Sequence, residues 1–224
     1  ALTAVDTASL VSDTSAVLSV SFPSLATSDE SLSFGDVRIG VVKTLQLTLS
    51  NTGSDTLFVD SIYVSDSLSG FSVALGEMNT SRSLIDRMAL STEVMPGESI
   101  GLDVSFMRED TLTVANELRI TSDDPLGNDV VSVGLSGRSV APVLVLAADT
   151  LDFGHILSES QLSVMVSNDG TDTLNVSAIS FPTGFTGSMA DSVLAPGEGA
   201  ELMVSFAPED NGYWTGDVLL TSDS

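Results

Sequence analysis

Residues 164–176 read Val-Met-Val-Ser-Asn-Asp-Gly-Thr-Asp-Thr-Leu-Asn-Val, and residues 47–59 read Leu-Thr-Leu-Ser-Asn-Thr-Gly-Ser-Asp-Thr-Leu-Phe-Val. In both stretches apolar and polar residues alternate on each side of an Asn-x-Gly triplet. Alternation with a period of two is typical of a half-buried β-strand, and Asn and Gly favour tight turns in which a residue adopts a positive φ. Each stretch therefore predicts two strands joined by a turn.

The likeness between the two copies continues on both sides of these stretches. Residues 22–35 correspond to residues 141–154, and residues 96–106 correspond to residues 196–206, which likewise begin with Pro-Gly-Glu. The spacing between the copies falls from 117 residues at the first stretches to 100 residues at Pro-Gly-Glu. The first copy therefore carries an insertion, predicted at about residues 76–92, in which Ser83–Leu90 is the one stretch expected to form a short helix.

An internal repeat made of short alternating segments and turns predicts an all-β fold, here two tandem immunoglobulin-like β-sandwich domains. The alternating apolar positions predict the two cores. The first core is expected to contain Leu47, Leu49, Leu57, Val59, Ile62, Leu102, Val104 and Phe106. The second is expected to contain Val164, Val166, Leu174, Val176, Ile179, Leu202, Val204 and Phe206.

The second copy stops where the first copy continues. The segment Ile120–Asp123 has its copy at Leu220–Asp223, but only the first copy goes on to another alternating segment, residues 131–137. A similar alternation occurs at residues 16–22, before the first repeat. We therefore predict an arm at 1–22, a first domain at 23–140 and a second domain at 141–224 that lacks its own last strand.

The motifs Leu-x-Phe-Gly, Asn-x-Gly, Pro-Gly-Glu with Leu-x-Val-x-Phe, and Thr-Ser-Asp occur twice in the same order. This pattern resembles the ASH/HYDIN-type immunoglobulin-like repeats, which are related to PapD-like and MSP domains and also occur in prokaryotic surface proteins. The resemblance covers about residues 23–224. It implies structural or protein-binding modules without chemistry of their own, and the first copy departs from it by ending in Phe106-Met107-Arg108 where Phe-x-Pro is typical.

The composition restricts the classes of partner. Seven Lys and Arg against 31 Asp and Glu give a formal charge of −24, which opposes binding to nucleic acid or to anionic membranes. The chain has no cysteine, and no apolar run is long enough for a membrane helix. We expect no enzymatic activity, no cofactor, no metal and no small-molecule substrate. Because the chain begins at Ala1 without an initiator Met, we interpret it as a processed or trimmed product, and expect an extracellular or cell-surface location after removal of a signal peptide.

Several polar residues have the chemistry of a possible site. His155, the only histidine, is expected in a solvated turn, and no nucleophile elbow accompanies it. Calcium binding is weakly suggested by Asp123, Asp124, Asp129, Asp169 and Asp172. Asn79 and Asn175 fit the glycosylation acceptor pattern.

An absent last strand would leave an open strand edge beside an apolar slot, which is the acceptor geometry for strand addition. The predicted acceptor edge and groove contain Phe206, Tyr213, Trp214, Val218, Leu219 and Leu220. The predicted donor strand contains Ala16, Leu18, Val20 and Phe22. If that strand enters the second domain of an identical subunit, the chains join head to tail and form an extracellular filament or pilus.

Three other interpretations stay open from the sequence. The chain could be a fragment of a longer multi-repeat cell-surface protein that acts as a spacer or an adhesion module. The arm could instead fold back into its own second domain. Alternatively, residues 18–22 could be the first strand of domain one, and the donor would then lie within residues 1–15, through Leu2, Ala4, Val5, Leu10 or Val11.

Overall fold

A computed structural model of the chain describes residues 19–76 and 91–224. Every regular element in these two ranges is a β-strand, and they contain no helix long and apolar enough to cross a membrane. The strands are β1 (Leu25–Thr27), β2 (Ser31–Arg38), β3 (Lys43–Asn51), β4 (Leu57–Val64), β5 (Phe71–Leu75), β6 (Thr92–Val94), β7 (Ser99–Phe106), β8 (Thr113–Ser122), β9 (Val130–Val140), β10 (Leu144–Leu146), β11 (Ser160–Asn168), β12 (Leu174–Ser180), β13 (Phe185–Met189), β14 (Val193–Leu194), β15 (Gly199–Phe206) and β16 (Leu219–Ser222).

The first repeat forms two sheets with the orders β1-β3-β7-β5 and β2-β9-β8-β4-β6. All eight residues predicted for its core are buried, because the alternating strands turn one face of each sheet inward. Strand β9, formed by the alternating segment at residues 131–137 and its flanks, lies between β8 and β2. The predicted all-β, immunoglobulin-like fold is thereby confirmed.

The second repeat has the same first sheet, in the order β10-β11-β15-β13, but its other sheet contains only β14-β12-β16. Seven of the eight residues predicted for its core are buried. The exception is Ile179, which is half-buried although its counterpart Ile62 is buried. This difference follows from the shorter sheet, which covers less of the core.

The described residues fold as two compact units whose limits differ from the predicted domain limits. Unit 1 contains residues 19–32, 44–76, 91–105 and 116–135, and unit 2 contains residues 33–43, 106–115 and 136–224. These limits fall inside long strands, whereas the sequence repeats begin and end at turns. The division into domains 23–140 and 141–224 remains a prediction about the repeats.

Two sequence predictions about local structure need correction. Residues 19–24 form no strand, so the part of the predicted 16–22 strand that the structure describes is not one in this chain. The same finding rules out residues 19–22 as the first strand of domain one, which is β1. The predicted helix at 83–90 and most of the insertion lie outside the described residues.

Candidate strand-acceptor groove

Strand β16 has a sheet partner on one edge only. It pairs with β12 in antiparallel register from Ser180↔Leu219 to Val176↔Ser222, and no strand among the described residues pairs with its other edge. Its counterpart β8 is paired on both edges, by β4 and by β9. The unpaired edge of β16 therefore presents backbone N–H and C=O groups that can accept another strand.

The missing neighbour also changes the segment that copies β2. Residues 150–157 repeat the Leu-x-Phe-Gly motif of β2, and Gly154 and Gly35 have nearly identical φ angles of 61° and 62°. Yet residues 151–154 are in no strand. In the first repeat β2 is held in its sheet by β9 alone. Without an equivalent of β9, residues 150–157 keep the backbone turn at the glycine but form no backbone hydrogen bonds to any neighbouring strand that the structure describes.

The second core is exposed on the side where the last strand would lie. Five apolar side chains there are half-buried and pack against the core: Leu151, Phe153, Ile179, Val218 and Leu220. Their counterparts in the first repeat are all buried: Leu32, Phe34, Ile62, Leu118 and Ile120. We call the surface formed by the first five residues the open groove.

The residues predicted for the acceptor site divide into two groups. Val218 and Leu220 are part of the open groove, and Phe206 is buried at one end of it beside Trp214. Tyr213 and Leu219 are exposed, by 93% and 64%, and so do not line the groove. The predicted acceptor edge is a strand only from Leu219 onward, because residues 213–218 have no neighbouring strand to pair with.

Three groove residues were not included in the predicted site: Leu151, Phe153 and Ile179. All three are repeat positions in the sequence, but the predicted site contains only Phe206 and residues of the segment next to the gap. The signal that could have found them is their alignment with Leu32, Phe34 and Ile62. Any apolar residue covered by the last strand in one repeat is uncovered in the repeat that lacks it.

One end of the open groove is aromatic. Phe206 stacks on Phe185 with ring centroids 4.4 Å apart, and lies 5.9 Å from both Phe153 and Trp214. The Trp214 side chain is half-buried, and its indole Nε1 is buried without a hydrogen-bond acceptor among the described residues. A buried donor without an acceptor lowers the stability of the fold by about 1–3 kcal/mol, so other contacts must hold the indole in this position.

The Asn-x-Gly triplets hold the entry of the chain into each repeat. Asn168 is buried, and its Oδ1 accepts hydrogen bonds from the backbone N–H groups of Val143 and Gly170. Its Nδ2 donates to the carbonyls of Asp172 and Leu194 at 2.7 and 2.9 Å. Asn51 makes the same four bonds in the first repeat, to Ser24, Gly53, Asp55 and Val94. We call each of these arrangements an entry clamp.

The glycine of each triplet has a different role from the one predicted. Neither Gly53 nor Gly170 has a positive φ. Instead, a Cβ atom at Gly53 would collide with the carbonyl oxygen of Phe22, and a Cβ at Gly170 would collide with that of Ala141. The glycines are needed because the entering chain passes directly over them. By contrast, the glycines of the two Pro-Gly-Glu turns, Gly97 and Gly197, do have positive φ angles of 79° and 80°.

The turn that follows Asn51 fixes Phe22, and we count its hydrogen bonds to Phe22, like those to Ala141 in the second repeat, as part of the entry clamp. The Phe22 carbonyl accepts hydrogen bonds from the N–H groups of Ser54 and Asp55 at 2.8 and 3.3 Å, as Ala141 accepts from Thr171 and Asp172. Phe22 is therefore the counterpart of Ala141 and belongs to the start of the repeat. Of the other predicted donor residues, Val20 is 72% exposed, while Ala16 and Leu18 lie outside the described residues.

A polar cluster in unit 2 lies beside β16. The Arg38 guanidinium contacts the carboxylates of Asp172 and Asp223 at 3.2 and 3.0 Å, and Asn175 donates its backbone N–H and its Nδ2 to Asp223, each at 2.8 Å. The pKa of the Asp223 carboxyl is held well below its usual range, first by the Asn175 hydrogen bonds and then by Arg38. Glycosylation of Asn175 stays a prediction, and Asn79 lies outside the described residues.

We expect this cluster to make the stability of the chain sensitive to acid. A carboxyl whose pKa is depressed on folding stabilises the fold above its unfolded pKa of about 3.9, and this contribution is lost as the pH falls further. The variant Asp223→Asn should lower the free energy of unfolding at pH 7 by on the order of 1 kcal/mol, since the cluster is solvent-screened. Urea unfolding between pH 7 and pH 2 should show this difference shrinking as the pH falls below about 4.

The control for this experiment is Asp210→Asn, which removes an exposed carboxylate outside the cluster. Its difference from the parent chain should not follow the same pH profile. A difference for Asp223→Asn that stays constant down to pH 2 would contradict the assigned role of the carboxylate.

The other predicted sites are placed as follows. His155 is exposed in a bend after Gly154. Asp124 is buried, and its carboxylate accepts hydrogen bonds from the N–H groups of Leu25 and Leu126, both at 2.8 Å. In the ranges that the structure describes, no group of three or more His, Cys, Asp or Glu side chains is arranged to hold a metal ion.

Comparison with known proteins identifies the family of the second repeat. The model of the HYDIN/CFA65/VesB-like Ig-like domain matches residues 142–224, which confirms the resemblance predicted from the repeated motifs. No curated protein matches the chain.

Solved structures show only distant similarity. A protein of unknown function from Porphyromonas gingivalis W83 is 17% identical, with 83% of this chain and 84% of that chain covered and a TM-score of 0.36. The ASH/PapD-like domain 7 of human CEP192 is 16% identical, with 57% and 95% covered and a TM-score of 0.37. A chain of the CsuC–CsuE chaperone–tip subunit complex of Acinetobacter baumannii is 12% identical, with 89% and 97% covered and a TM-score of 0.31. At such identities and TM-scores, these likenesses say nothing about function.

Proposed function

We propose that this chain, whose residues 142–224 form an Ig-like domain of the HYDIN/CFA65/VesB type, is a structural subunit of an extracellular filament. In this proposal subunits join head to tail by donor-strand complementation. The arm of one subunit completes the second repeat of the next. The observation that carries the proposal is the open groove: in the first repeat, where β9 lies between β2 and β8, the five corresponding positions are buried, and in the second repeat they are half-buried.

The route of β9 suggests how the arm would be placed. Strand β9 completes the first repeat and then runs directly into the entry clamp of the second repeat at Ala141. Phe22 enters the clamp of the first repeat in the same way. The residues that precede Phe22 are thus placed, relative to the clamp, where β9 is placed relative to Ala141. An arm that ran through the groove of another subunit would reproduce this connection.

This correspondence sets the register of the donor. In β9 the inward positions before Ala141 are Val133, Leu135, Gly137 and Ser139, all buried. Counting back equally from Phe22 gives Thr14, Ala16, Leu18 and Val20. Three of these belong to the donor set predicted from sequence. The predicted set also contained Phe22, but the entry clamp already holds Phe22. Thr14 therefore takes its place in the proposed donor.

The energy available is consistent with a stable junction. Burying Ala16, Leu18 and Val20 would contribute about 4–7 kcal/mol before entropic costs. Pairing the free edge of β16 adds a ladder of backbone hydrogen bonds. The contact joins two different surfaces, so it does not close on itself and generates a fibre. The partners are therefore further copies of this chain, and the proposed location is the cell surface or the extracellular space. No catalytic role is proposed.

The second candidate is a module of a longer multi-repeat surface protein. The observation that favours it is the short link between β8 and β9, residues 123–129, which brings the completing strand from the same polypeptide. In that case a strand following Ser224 in the longer protein would fill the open groove. The arm would then complete a repeat that precedes Ala1.

The two candidates predict different effects of changes in the arm. The variant Val20→Asp should abolish filaments seen by negative-stain electron microscopy and by light scattering, because it would place a charge on the inward side of the donor. The matched control is Ser19→Asp, whose counterpart Arg138 is exposed, so this chain should still assemble. A chain lacking residues 1–20, which retains Phe22 for the clamp, should stay monomeric.

The Val20→Asp and Ser19→Asp variants leave the described core unchanged, so their thermal unfolding should resemble that of the parent chain. If the parent chain is monomeric at every concentration and the arm deletion changes nothing, the filament proposal is wrong, and the module of a longer protein is favoured. Filaments that persist in the Val20→Asp chain would also overturn the assigned donor.

A further inference from the structure

The aromatic end of the open groove differs from the same place in the first repeat. There, β9 crosses the ring of Phe106 at Gly137, and a Cβ atom at this glycine would lie only 2.9 Å from the ring. A side chain larger than hydrogen has no room. In the second repeat the ring of Phe206 takes the place of Phe106, and the donor register brings Leu18 to the position of Gly137. The second repeat must therefore make space that the first does not need.

Trp214 is one of the side chains that pack against Phe206. Its indole lies 5.9 Å from the Phe206 ring and packs against Gly184, where an added Cβ would meet the six-membered ring at 3.3 Å. Its counterpart in the first repeat is Val114, a much smaller residue. Together with Phe153 and Phe185, Trp214 keeps Phe206 buried, with 6% of that residue exposed.

Two features of the structure favour movement of the indole away from this position. The indole Nε1 is buried without an acceptor, so moving it into water restores a hydrogen bond that the folded chain lacks. Glycines lie two residues before and two residues after Trp214, at Gly212 and Gly216, where the first repeat has Leu112 and Asn116. Residues 212–216 are also in no strand, so no sheet ladder resists their movement.

On the basis of the proposed function, we propose that Phe153, Phe185 and Phe206 form a pocket that selects a branched apolar side chain on the incoming strand. Trp214 closes the pocket in the free subunit, and Leu18 of the donor displaces its indole. The ligand class is an extended peptide with a leucine-like residue four positions before the residue held by the entry clamp. The pocket thereby distinguishes the arm from β9, which carries glycine at this position.

The experiment uses the full chain with Leu18→Asp, which disables its own arm and leaves the groove free. The probe is a synthetic peptide of residues 11–21, compared with the same peptide carrying Leu18→Gly. The matched control peptide carries Ser19→Gly, an outward position. Binding is measured by calorimetry. The environment of Trp214, the only tryptophan, is followed by fluorescence emission and acrylamide quenching.

We expect the parent and Ser19→Gly peptides to bind equally. The Leu18→Gly peptide should bind about 10–100-fold more weakly, since it loses the burial of one leucine side chain. Binding of the parent peptide should shift the tryptophan emission to longer wavelength and increase quenching. Adding Trp214→Ala to the acceptor chain should tighten binding of the parent peptide about tenfold, because no indole has to be displaced.

The outcomes separate this inference from the proposed function. One outcome is that the parent and Leu18→Gly peptides bind equally and the tryptophan emission does not change. The proposed selection by the aromatic pocket would then be wrong, whereas the binding of a donor strand to the open groove would be supported. Weaker binding to the Trp214→Ala chain would overturn the displacement of the indole. If no peptide binds the free groove, both the pocket and the filament proposal are wrong.

Discussion

A chain that carries its own completing strand is expected to be a monomer with a much more stable second repeat. In this variant, Asp223 and Ser224 are replaced by a copy of the loop 123–129, followed by a copy of residues 11–21. The loop spans the distance between β8 and β9 in the first repeat, so it suits the same connection after β16. The added strand would bury apolar side chains in the open groove for about 4–7 kcal/mol gross, against a typical domain stability of about 5–15 kcal/mol.

The measurement is urea unfolding together with light scattering at matched protein concentration. The control is the same extended chain with Asp at the copies of Leu18 and Val20, which adds equal length without an apolar face. The chain with the added apolar strand should show a higher unfolding midpoint and no filaments. The control should keep the unfolding midpoint of the parent chain and should still form filaments. Filaments formed by the self-completed chain would contradict the groove as the site of assembly.

Replacing the asparagine of either entry clamp is expected to cause the largest loss of stability from a single substitution. Asn168→Ala removes four hydrogen bonds at a buried site and leaves two backbone N–H groups and two carbonyls without that partner. Unsatisfied buried groups cost about 1–3 kcal/mol each, and partial access of water reduces the sum, so we expect a loss of about 3–5 kcal/mol. Asn51→Ala should have a similar effect, because its four bonds are equivalent.

Urea unfolding of the two variants tests this expectation. Asn168→Asp serves as the conservative change: it keeps the two bonds accepted by Oδ1, loses the two donated by Nδ2, and should remain well below the parent chain in stability. Asn211→Ala, at an exposed position, is the matched control and should change the free energy of unfolding by less than about 0.5 kcal/mol. A loss below about 1 kcal/mol for Asn168→Ala would show that the clamp does not hold the repeat together.

The sequence by itself determined the elements that depend on local alternation. It predicted the all-β fold, the two repeats and their cores, because side chains on a strand alternate between two faces whatever the strand pairs with. Leu47, Leu49 and Val166 are buried as predicted. The repeated motifs also predicted the resemblance to ASH/HYDIN-type repeats, which the family-model match confirms for residues 142–224.

Only the tertiary structure decided what depends on distant partners. Residues 151–154 and 213–218 repeat the sequence pattern of strands but form none, since a strand needs a neighbour to pair with. The role of Gly53 could not be read from its triplet, because the obstacle to a side chain is the carbonyl of Phe22, far away in the chain.

The same reason explains why the proposed donor set differs from the one predicted from the sequence. Alternation placed Phe22 with Leu18 and Val20, but hydrogen bonds from Ser54 and Asp55 hold its carbonyl at the start of the first repeat. Alternation fixes which residues share a face, whereas the register along a strand is set by where the chain is anchored. That anchor is the entry clamp, which forms only when residues far apart in sequence meet in the folded chain.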